Sequence, residues 1–155
     1  MRRRTSRRAR SADEGGQIGG VEALIFGVLI FVLGILGVAT AWAVLDAKVA
    51  AASAAREAAR SYVESDGSDT AWPDAAERGR EAFAGHGRDP AGVDLPRPDG
   101  SFRRCGPITV TASTHLDLPR LPGIRAAARR VRVEASHTEV VDPYRAGVRQ
   151  GTGCE

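Results

Sequence analysis

Residues 23–45 read ALIFGVLIFVLGILGVATAWAVL, a stretch of 23 residues without a single charge. A helix rises about 1.5 Å per residue and the hydrocarbon core of a bilayer is about 30 Å thick, so roughly 20 apolar residues span it. The stretch is therefore expected to cross the cell membrane once. It is entered through Glu22 and preceded by a tail with six arginines in its first ten positions. Short segments rich in arginine beside a span stay on the cytoplasmic side. The organisation that follows is an Arg-rich cytoplasmic tail (1–20), a transmembrane helix (21–45), an extension of that helix beyond the membrane (46–64) and a small extracellular domain (65–155).

The net charge of +3 has to be located before it is interpreted. Ahead of the apolar stretch six arginines stand against Asp13 and Glu14, a balance of +4 that Glu22 brings to +3. From Asp46 onward 16 basic residues meet 16 acidic ones. A basic chain can signal nucleic acid. Here the excess lies wholly in the tail beside the span, which makes it a topology signal, and no nucleic-acid partner is expected. Cleavage as a signal peptide is the competing reading, because Ala39-Thr40-Ala41 has the small-x-small form. An h-region of about 7–15 residues is shorter than this stretch.

Both cysteines, Cys105 and Cys154, fall in the part expected outside the cell. An even count in an oxidising compartment favours a disulfide, which would stabilise a small domain by about 4 kcal/mol on the chain-entropy estimate. Two separate thiols are the alternative.

Within the span the small residues Gly20, Gly27, Gly34 and Ala41 recur every seven positions. Seven steps of about 100° return to within about 20° of the start, so they line one stripe. In lipid, close backbone approach at small residues drives helix association, although glycine is also simply commoner in spans. Beyond the span, residues 46–64 lack glycine and proline and are dense in alanine, the best helix former. Leu45, Val49, Ala52, Ala55, Ala59 and Tyr62 fall at helical spacing. One helix of roughly 40 residues is expected, amphipathic in its upper half.

The turn chemistry of Asp66-Gly67-Ser68-Asp69 ends that helix. A second helix is expected over 74–84, stopping at Gly85. Residues 87–100 read as loop, with an edge strand at 93–95. Alternation of apolar and polar residues over 108–118 and 130–138 predicts two half-buried antiparallel strands joined through 119–128. Their apolar face needs a cover, and the upper half of the long helix can supply it. The fold class is α+β: a spine helix, a second short helix and an antiparallel hairpin or small sheet.

No catalytic constellation emerges. The chain has no phosphate-cradling glycine loop, nucleophile elbow, HExxH motif or CxxC pair. His115 and His137 fall on the two strands and could meet across the hairpin, but two histidines alone make a weak metal site. No enzyme activity, cofactor or metal is expected. Glu22 is the one polar group at the span that asks for a reason. It can sit at headgroup level near the positive end of the helix dipole, or it can serve a function, as carboxylates at spans often do.

The run from Gly15 through Val21-Glu22 to Phe26, the long span and the Ala55-Arg56-Glu57-Ala58-Ala59-Arg60 segment together resemble the TadE-like family. These are minor pilins, or pseudopilins, of the bacterial Tad pilus. A cysteine ahead of a Thr/Val-alternating strand and a final Val-Val-Asp-Pro-Tyr-Arg segment are similar to actinobacterial members. The resemblance implies a pilus-assembly component whose partners are the bilayer, other pilin-like subunits and a prepilin peptidase. It implies peptidase cleavage after a glycine near the glutamate, for which Gly16 is the candidate, and a docking role for Glu22. Cutting after Gly16 would make Glu22 the sixth residue. The alternative is a bitopic protein with an extracellular binding domain unrelated to pili, for which the span is a passive anchor.

Overall fold

The computed structural model describes residues 15–68, 70–117 and 130–149, with 15–21 as backbone alone. Helix α1, Gly15–Glu64, has 50 residues and starts earlier than expected. It contributes to both of the compact units into which the chain divides between Thr40 and Ala41.

In the first unit the large apolar side chains from Leu24 to Val38 are largely exposed, for example Ile30 at 68 % and Val38 at 70 %. The hydroxyl of Thr40, the one hydroxyl in the run, donates to the Leu36 carbonyl at 2.7 Å. That local bond satisfies a group that would otherwise be stranded in an apolar setting.

The second unit is built on an alanine face. Ala47, Ala50, Ala51, Ala54, Ala55, Ala58 and Ala59 are fully buried. The expected stripe is corrected in part: Ala55 and Ala59 are buried and Tyr62 packs against the core, but Leu45, Val49 and Ala52 are exposed, and the other buried positions are alanines beside them. Alanine lets neighbouring elements approach the helix axis closely, which the bulk of Val49 would prevent.

Helix α2, Ala71–Ala84, lies along that face. It begins before the expected Asp74, and Pro73 sits inside its first turn. The first-turn N–H groups have no intrahelical acceptor, so proline loses nothing there. Gly79 makes the contact close: a Cβ at this position would stand 2.9 Å from the Ala54 carbonyl oxygen and 3.0 Å from the Ala58 Cβ. At the far end of α1, Tyr62 meets Trp72 and Phe102 edge-on, with ring centres 5.7 and 5.4 Å apart.

Three strands, β1 (Val93–Asp94), β2 (Pro107–Asp117) and β3 (Arg130–Val140), form an antiparallel sheet in that order. β1 is shorter than the expected 93–95, and β3 runs past Thr138. Leu118 and the 119–128 connection lie outside the described residues. The register opposes Ala112 to Ala135, so Ile108, Val110, Ala112, Val133 and Ala135 share one face. Val110 and Ala112 join Ala50–Ala59, Phe83, Val93 and Leu95 in a single core cluster, and Ala135 packs against it. The upper half of α1 thus covers the hairpin, as the alternation required. The opposite face is polar, with hydroxyl pairs Thr109–Thr138 at 2.9 Å and Thr111–Ser136 at 3.0 Å.

The end of α1 is closed by one adjacent side chain and one distant in sequence. The Ser65 hydroxyl donates to the Tyr62 carbonyl at 2.6 Å, and the Arg145 guanidinium donates to the carbonyls of Val63 and Glu64. Unsatisfied carbonyls at a helix C-terminus carry partial negative charge, so a cation there is favoured twice, by hydrogen bonding and by the dipole.

Candidate functional site

The apolar stretch of α1 is the most unusual surface of the chain. Among the described residues it is the one helix long and apolar enough to cross a membrane. Glu22 stands exposed at its start. Gly16 and Gly20 lie in the first turns of α1, whose backbone alone is described. A Cβ built on Gly27 or Gly34 would meet nothing within 4 Å, and Ala41 is exposed. The helix is unbroken from Gly15 to Glu64, so Gly27 and Gly34, seven positions apart, share one open face.

Cys105, in the 101–106 loop ahead of β2, adopts a positive φ of 57°, and its N–H donates to the Val141 carbonyl at 2.9 Å. Among the described residues there is no free cysteine. Cys154 lies outside the described residues.

The two strand histidines do not meet. His115 opposes Arg132 on the polar face, and His137 opposes Val110 on the core face, where it contacts Glu139 at 3.0 Å. A residue's face is fixed by parity along the strand, and the register puts the two on opposite sides. Among the described residues no group of three or more His, Cys, Asp or Glu side chains is placed to hold a metal ion.

Two features were invisible in the sequence. A shallow cleft of about 670 Å³ opens between the end of α1 and the 101–103 and 147–149 loops, lined by Tyr62, Asp66, Phe102, Arg103 and Arg149. At the other end of the same unit, Arg88 reaches Asp46 with an N–O distance of 2.8 Å. Forty-two positions separate that pair, and no local pattern marks either member.

Compared with family models, with curated proteins and with solved structures, the chain has no match. What its own residues define is an α+β chain with one long apolar N-terminal helix compatible with a single membrane pass.

Proposed function

We propose that this chain is a single-pass, pilin-like membrane protein of the TadE type, which acts in assembly of a Tad pilus or a related secretion apparatus through packing of its N-terminal helix. The observation that carries the reading is the exposed apolar length of α1: large side chains such as Leu24, Ile30 and Phe31 are 67–68 % exposed. Apolar area on this scale is unfavourable in water and needs lipid or other helices around it. The arginine tail supports an N-terminus in the cytoplasm and a head outside the cell. The open face along Gly27 and Gly34 supports helix-to-helix docking, because it admits a neighbouring backbone. Glu22 and Gly16 are the docking and processing positions that the resemblance implies. Cys105 and Cys154 form a disulfide that closes the head.

The experiment is a replacement of residues 23–45 by a generic leucine–alanine helix of equal length, alongside Gly27→Leu with Gly34→Leu. Both variants are expected to stay in the membrane and to lose co-purification with pilin-like subunits by tenfold or more. Undiminished association in both would contradict an assembly role. That outcome would favour the second reading, a membrane-anchored extracellular binding domain, for which the cleft between Tyr62, Phe102, Arg103 and Arg149 is the supporting feature.

A further inference from the structure

Helix α2 runs back along α1. Trp72 meets Tyr62, Gly79 lies against Ala54 and Ala58, and Arg88, four positions beyond α2, reaches Asp46. The sixteen positions of α1 between Tyr62 and Asp46 correspond to about 24 Å of rise. Residues 85–92 are thereby carried to the end of the unit where the apolar stretch stops, since Asp46 directly follows Leu45.

The surroundings of that pair are those of a boundary layer. Trp42, one turn before Asp46, is 73 % exposed, and tryptophan favours the level of lipid headgroups because its ring is apolar and its N–H is not. Lys48, His86 and Asp89 are exposed. Arg88 keeps only 20 % of its side chain accessible, its guanidinium lies 6.0 Å from the centre of the Phe83 ring, and Asp46 already matches its charge. The Asp89 carboxylate accepts from the Ala91 N–H at 2.9 Å and starts the short 3-10 turn Pro90–Gly92. The charges of Arg88 and Lys48 balance those of Asp46 and Asp89.

We infer that residues 85–92, pinned to α1 by the Arg88–Asp46 pair, form a seat that rests on phospholipid headgroups and holds the head at a fixed height on the membrane. The inference rests on the membrane reading above and adds to it a contact surface and its partner. The partner is the phospholipid headgroup layer irrespective of its net charge, because the partly buried cation of the surface, Arg88, is already paired with Asp46 inside the chain.

The test uses the full chain in vesicles of pure phosphatidylcholine and in vesicles with one-third phosphatidylglycerol. A ketone-bearing residue carries a spin label at position 86, 66 or 33, which leaves both cysteines untouched. The label at 86 is expected to relax at least threefold faster when nickel-chelating lipid is present, equally in both vesicles, and the label at 66 is expected not to respond. The label at 33 should respond to oxygen as a site in hydrocarbon does. A silent label at 86 with an oxygen-exposed label at 33 overturns the seat and leaves the span intact. A response at 86 only in the anionic vesicles overturns the neutral-surface assignment. A label at 33 without enhanced oxygen exposure removes the membrane reading, and the seat with it.

Discussion

Arg145 is the residue on which the outer end of α1 depends. Its guanidinium bonds the carbonyls of Val63 and Glu64, and its own carbonyl accepts from Arg104 Nε at 2.7 Å, tying the 142–149 segment to the loop before β2. Next to this cap, the Asp66 carboxylate accepts from the Ser68 N–H at 2.9 Å. Hydrogen bonds from the Ser68 side chain and backbone hold Asp66 below its ordinary pKa of 3.8, with the Arg145 charge a smaller cause. Replacing Arg145 by alanine removes two hydrogen bonds from the helix end, one of them part-buried, and should lower stability by about 1 kcal/mol, a fall of about 4–8 °C in the melting temperature. Asp66→Ala should show the pH signature of a carboxylate with a depressed folded pKa. Its contribution is complete above the unfolded value and fades as the pH drops through the folded one, so the gap between wild type and variant should narrow below about pH 4. Thermal melts followed by circular dichroism at pH 7 and pH 3 check both; an Asp66→Ala deficit that grew on acidification would contradict the assignment.

At the scale of elements, the alanine face of α1 accounts for the second unit. It serves α2 on one flank and the sheet on the other, and neither could approach a wider side chain so closely. Ala54→Leu should therefore force the two apart, at about 1–3 kcal/mol, whereas Ala52→Leu on the exposed flank should change stability by less than about 0.5 kcal/mol. Equal effects in the two variants, measured by chemical denaturation, would show that the face is not what holds the unit together. The same elements show what the sequence could say. The strands were legible because alternation in β2 and β3 is a local pattern, and the long helix was legible because residues 46–64 contain no breaker. The alanine rows were not distinguishable from their neighbours, since alanine occupies both Ala52 and Ala54 and composition alone cannot rank them. The expected 74–84 helix began late because Pro73 reads as a boundary, although in a first turn it is harmless. Arg88–Asp46 and Arg145–Val63 are contacts across 42 and 82 positions, which no window of sequence contains.

At the scale of the whole molecule, the proposed topology puts the two ends of the chain in opposite environments, and the cysteines follow from that. A head outside the cell is in an oxidising compartment, where Cys105 and Cys154 should be joined. The intact mass of protein extracted under alkylating conditions should then show no alkylation without reductant and two additions after reduction; two additions in both samples would contradict the bond.

The most direct test of the central claim, that α1 lodges once in the bilayer with the head outside, is protease treatment of sealed spheroplasts carrying the full chain. Externally added protease is expected to remove residues of the head and leave a membrane-embedded fragment containing 23–45. Full-length chain that is untouched until the cells are lysed, or that is recovered in the soluble fraction, would contradict it.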